Sequence, residues 1–108
     1  MTDNKQAIKA TYDSGMAEVF KIVGSLDATL EQRVAARQTA RDLSSMLVAH
    51  TLQTIEGRTA LLAALIVELN EVITSIDASP PFASSVDSLT ALLNQAHILF
   101  KEEKLALV

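Results

Sequence analysis

The side chains that could do chemistry in this 108-residue chain are two histidines, a run of arginines in helical register and thirteen scattered carboxylates. His50 follows Leu43 and Leu47 at helical spacing, and His97 lies beside Ala96. A metal site would need both imidazoles to converge with one or two carboxylates. Neither has a histidine or an acid four residues on, the spacing that puts two ligands on one helix face. There is no cysteine, which excludes thiolate sites and disulfides. Gly-rich phosphate loops, nucleophile elbows, a His-Glu-x-x-His pattern and paired inward carboxylates are all missing; Glu68 and Glu71 stand three apart but neighbour no histidine. The chain is expected to be a non-enzyme with no metal and no cofactor, its histidines sitting at the edge of a core.

The segment Ala49-His50-Thr51-Leu52-Gln53-Thr54 resembles the phosphoacceptor stretch of histidine phosphotransfer domains, which are also helical bundles of about this length. In that family the histidine is usually followed three residues later by a lysine that helps hold the phosphoryl group, then by a glycine that leaves room for the partner. This sequence has Gln53 and Thr54 at those positions. The resemblance implies a phosphoryl carrier with His50 as acceptor, an alternative function to set beside the others.

Arg33, Arg37 and Arg41 recur at i, i+4 and i+8 along one side of a helix. Like charges at that spacing cost a few tenths of a kcal/mol per pair, and no acid stands four residues from any of them to offset it. Compensation could come from Glu68 and Glu71 on one neighbouring helix or from Asp13 and Glu18 on another. The alternative is an anionic ligand or an acidic partner surface, which forked guanidinium donors suit better than lysines would.

Helices must position these groups. Leu and Ala dominate, the only prolines are Pro80-Pro81, and no stretch alternates apolar with polar residues. A first helix is predicted over 3–23, capped by Thr2 or Asp3 and closed by Gly24 as a left-handed residue, with Ile8, Tyr12, Met16, Val19 and Val23 inward. Thr29-Leu30-Glu31-Gln32 reads as a capping box opening a second helix over 30–56, with Gly57 as its terminator. That helix carries two seams, Ala36/Ala40/Leu43/Leu47/His50 and Leu30/Val34/Arg37/Arg41/Ser44/Val48/Ile55, as expected of a helix touching two neighbours. A third spans 59–77, stopped by Ser79-Pro80-Pro81, and a fourth spans 85–105, opened by a serine cap with Asp87 in its first turn. Short connections make neighbours antiparallel, so the fold class is all-α: one domain, an up-down-up-down four-helix bundle.

The third helix organises the rest, because Ala60 to Val67 passes without a polar side chain. That run is shorter than the ~20 apolar residues a bilayer span needs, so no membrane is expected. Leu61, Leu62, Leu65, Ile66, Leu69, Val72, Ile73 and Ile76 fill an arc of about 140°. Ala60, Ala63, Ala64 and Val67 lie behind, where a second helix could approach. On the fourth helix, Ala91, Ile98 and Leu105 form a sparse second stripe, followed by the apolar tail Leu105 to Val108.

Nine basic against thirteen acidic residues, net charge −4, argue against nucleic acid as a general partner. The polar N-terminus shows no secretory signal, so a cytoplasmic location is expected. The expected function is a small acidic protein–protein interaction module, of adaptor, chaperone-like, inhibitor or immunity type, and a homo-oligomer. Its contact residues would be Ala60, Ala64, Val67, Ile98 and Leu105, with Arg33, Arg37 and Arg41. A sensor binding a small apolar ligand between its helices is a further alternative.

Overall fold

The computed structural model describes residues 4–107, and over these the chain is all-helical, with no strand. The elements are α1 (Lys5–Val23), α2 (Leu30–Ser44), the single turn α3 (Val48–Thr51), α4 (Ile55–Ile76) and α5 (Ala83–Ala106), with a 3₁₀ turn at Pro80–Phe82 leading into α5. Helix α4 packs on α5, α2 and α1, and α1 in turn packs on both α2 and α5.

Each helix forms for a local reason. In α2, Thr29 Oγ1 accepts from the Gln32 N–H at 3.1 Å, while Gln32 Oε1 accepts from the Thr29 N–H at 2.9 Å, the reciprocal box its sequence specifies. The start of α4 is capped by Thr54, whose Oγ1 accepts from the Gly57 N–H at 2.9 Å. The Pro80-Pro81 turn feeds directly into α5, so neither Ser84 nor Ser85 caps it and the helix begins at Ala83. In α1 the predicted caps Thr2 and Asp3 lie outside the described residues. Gly24 closes that helix at φ −91°, not in the left-handed region.

The largest departure from the sequence reading is the predicted helix over 30–56, which is broken after Ser44. Ser44 Oγ donates to the Arg41 carbonyl at 3.2 Å and Ser45 Oγ to the Asp42 carbonyl at 2.7 Å, side chains competing for the carbonyls at the helix end. The chain then turns through α3 and re-enters helix at Ile55, so Gly57 sits inside the first turn of α4 and terminates nothing. A Cβ there would run into the Thr51 carbonyl, so glycine allows this close approach of backbones.

The core is aliphatic. Leu61, Leu62, Leu65, Leu69, Val72 and Ile76 of α4 are fully buried, and they meet Ile8, Val19 and Ile22 of α1, Ala36 and Leu43 of α2, and Leu89, Ala96 and Leu99 of α5. The inward line of α1 is Ile8, Thr11, Gly15, Val19 and Ile22: Ile8 and Val19 are buried as predicted, while Thr11, Gly15 and Ile22 replace Tyr12, Met16 and Val23, which flank the line half-buried. On α2 only the first predicted seam is inward, and only as far as Leu43. The second faces solvent: Leu30 is 77% and Val34 54% exposed.

The full helix α4, 22 residues, is long and apolar enough to cross a membrane by length and composition, although the eight-residue run inside it is not. In this fold its apolar side is the packed interior of the protein.

Polar links tie neighbouring helices together, most of them part-buried and one at the surface. Tyr12 Oη donates to the Leu43 carbonyl at 3.1 Å, joining α1 to α2. Gln32 Nε2 donates to the Ser75 carbonyl at 3.1 Å and to Ser79 Oγ at 2.7 Å, joining the start of α2 to the end of α4. Arg58 Nε meets Glu103 Oε1 at 3.0 Å, joining the start of α4 to the end of α5. Asn4 Nδ2 donates to Glu102 Oε2 at 2.9 Å, joining the start of α1 to the end of α5.

Candidate functional site

The outward side of α4 is built as its sequence pattern suggests. Ala60 is exposed, Ala63 and Ala64 are half-buried, and Val67 is 56% exposed. The Val67 ridge has a groove on each flank. One, about 340 Å³, lies between α2 and α4 and is lined by Asp42, Leu43, Ala63, Ala64, Val67 and Glu68. The other, about 390 Å³, lies between α4 and α5 and is lined by Ile66, Val67, Asn70, Glu71, Leu93 and His97. Small side chains at 63 and 64 leave the first hollow, because nothing beyond a methyl group fills the space there beside Val67, whereas larger side chains border the second.

Ile98 and Leu105 are exposed, but they do not extend this surface. Leu93 and His97 are the α5 residues that face the α4 groove, and Ile98 is a further 100° round the helix. It stands one turn before Glu102, the residue bonded to Asn4 of α1. The α4 ridge and the α5 stripe therefore occupy different flanks.

The first groove holds a carboxyl pair that the sequence reading missed. Glu68 on α4 lies beside Thr39 and Asp42 of α2, and its Oε2 is shielded from water with no hydrogen-bond partner. Burial pushes the Glu68 carboxyl above its ordinary value; the Thr39 hydroxyl pulls it back, while Asp42 and the nearby Glu71 charge push it higher. Gln38 Nε2 holds the Asp42 Oδ1 at 2.8 Å. Asp42 and Glu68 lie on different helices, and only the α2–α4 packing brings them together.

No protein-family model, curated protein or solved structure matches the chain. Its function is therefore read from its own surface.

His50 lies on α3 and is exposed, not in a seam of a long helix. The Gln53 side chain, at the position of the family's lysine, donates to the Ala49 carbonyl at 3.0 Å. His97 is exposed on α5 at the second groove, and no cluster of three or more potential metal ligands occurs among the described residues.

Arg33, Arg37 and Arg41 all lie on α2, with Arg37 and Arg41 exposed and Arg33 half-buried. None forms an ion pair among the described residues. Of the acids expected to compensate them, Asp13 pairs with Lys9 at 2.7 Å and Glu18 with Lys21 at 3.0 Å, while Glu68 and Glu71 form no ion pair among the described residues. Arg33 Nε is shielded from solvent and has no hydrogen-bond partner.

Proposed function

We propose that the chain is an up-down-up-down antiparallel four-helix bundle that works as a protein–protein interaction module and self-associates through the outer face of α4. The polar links support the topology: each joins the early part of one helix to the late part of its neighbour, as antiparallel neighbours require. The observation that carries the function is Val67, an exposed apolar ridge between two grooves on the helix whose opposite face is the centre of the core. A ridge flanked by grooves is self-complementary, since Val67 of one copy can enter a groove of a second copy while receiving the reciprocal contact about a two-fold axis. Such a module is of adaptor, chaperone-like, inhibitor or immunity type, acting through its surface.

Sedimentation across a range of concentrations tests the reading. Val67→Arg is expected to keep the helical signal and to hold stability within about 0.5 kcal/mol, as is usual for an exposed site, while converting the assembly to monomer. A wild-type chain that stays monomeric at high concentration overturns self-association. Ala64→Glu is a poorer probe, because Ala64 shares its groove with Asp42 and Glu68 and a third carboxylate there would mix repulsion with loss of contact.

A further inference from the structure

Helix α2 turns a second surface outward that self-association through α4 does not use. Counting round the helix from Leu30, Arg37, Arg41 and Val34 all fall within about 40° of it, and Arg33 lies about 60° to one side. Leu30 and Val34 are each more than half exposed, and the guanidinium groups among them carry no internal carboxylate partner among the described residues. Phe20 of α1 is a further exposed apolar side chain at this level of the bundle. The Tyr12–Leu43 bond sets the register of the two helices, so Phe20, eight residues beyond Tyr12, stands level with Ala35, between Val34 and Ala36. It is more than half exposed. A chain of net charge −4 thus presents an apolar strip edged by unpaired positive charge.

We infer that the exposed face of α2 binds an acidic amphipathic helix of a partner protein, whose carboxylates meet Arg33, Arg37 and Arg41 and whose apolar side chains cover Leu30 and Val34. The proposal rests on the interaction-module reading and names its partner's chemistry. Guanidinium groups at i, i+4 and i+8 match carboxylates at the same rise along a second helix, and each can hold a carboxylate through two N–H donors. The apolar residues distinguish this occupant from a polyanion. A phosphate backbone would engage the arginines and gain nothing from Leu30 or Val34, whereas a helix with leucines between its acids uses both. Charge also sets the encounter, since a basic patch on an acidic protein steers an acidic partner to one face.

The test is a phage-displayed library of randomised helical peptides, panned against the full chain. Enriched peptides are expected to be acidic, with Leu, Ile or Phe spaced between Asp and Glu at helical intervals. Their affinity is expected to fall at least tenfold in Arg37→Glu plus Arg41→Glu, to fall also in Leu30→Ser plus Val34→Ser, and to weaken with added salt. Because these residues are exposed, circular dichroism and melting should match the wild type. Arg37→Gln plus Arg41→Gln is the gentler variant if charge reversal perturbs the fold. No enrichment, enrichment of neutral or basic peptides, or binding indifferent to Arg37 and Arg41 overturns the proposal. So does preferential binding of oligothymidylate or phosphatidylserine vesicles that needs the arginines but not Leu30 and Val34. If the peptides depend on Val67 instead, the α2 proposal falls and the interaction module stands. If neither peptide binding nor self-association is found, both fall.

Discussion

Glu68 carries the most consequential protonation equilibrium in the described residues. Burial in the groove, and then the neighbouring Asp42 and Glu71 carboxylates, favour the neutral form of Glu68. A carboxyl raised in the folded state binds its proton more tightly there than in the unfolded chain. Its stabilising contribution is therefore complete below the ordinary value of 4.5 and is lost as pH rises through the elevated folded value. Urea unfolding is expected to show this group's full contribution below pH 4.5 and its progressive loss as pH is raised. Glu68→Gln should remove that dependence and stabilise the protein at neutral pH by about 1 kcal/mol, because an amide can donate to Asp42 at any pH. Equal behaviour of wild type and variant at both pH values would show that the two carboxyls do not interact. At the other end of α4, the Arg58 and Glu103 side chains are 14% and 7% exposed, and Arg58 Nη1 also donates to the Leu52 carbonyl at 2.7 Å. Glu103→Ala leaves a buried guanidinium with its main partner gone, at an expected cost of about 3–5 kcal/mol. Arg58→Met with Glu103→Leu should recover most of that loss, and a double-mutant cycle in urea measures the coupling. Neither pair is visible from spacing alone, since Asp42 and Glu68, like Arg58 and Glu103, lie far apart in sequence.

At the scale of elements, the joint between α2 and α4 decides how the chain turns. Thr54 and Gly57 make one device there: the threonine caps α4, and the glycine lets its first turn pass against the Thr51 carbonyl. Gly57→Ala is expected to cost about 1–3 kcal/mol, because the new methyl group must displace backbone and not a flexible side chain. Thr54→Ala should cost about 1 kcal/mol as a lost cap, and thermal unfolding of both variants compares the two effects. A Gly57→Ala variant as stable as wild type would mean that the α3 turn can move aside. The capping box at Thr29 was legible because both halves of the motif lie within four residues. The break at Ser44-Ser45 was not, since serine is tolerated within helices and its side chains take helix-end carbonyls only where the chain actually turns. A glycine after a polar stretch reads equally as a terminator or as room for a neighbouring backbone, and Gly57 is the second.

For the whole molecule, 44 × 23 × 18 Å in extent, α4 is the element against which the others are placed. Its sequence determined by itself that it is a helix, that Leu61, Leu62, Leu65, Leu69, Val72 and Ile76 share a buried face, and that small residues and Val67 lie behind them. Those properties follow from helical periodicity, which is local. The sequence also determined an aliphatic core and an all-helical class, because composition and the positions of proline leave little else. Which face of α2 is covered was decided only in three dimensions. Its two apolar stripes look alike on a helical wheel, yet α1 and α4 both pack against one side and leave Leu30 and Val34 in solvent. The tertiary structure likewise placed Asp42 beside Glu68, left the three arginines of α2 without carboxylate partners among the described residues, and put Ile98 on a different flank from Val67. Periodicity fixes where a side chain points from its own helix, while the position of the neighbouring helix fixes what it meets.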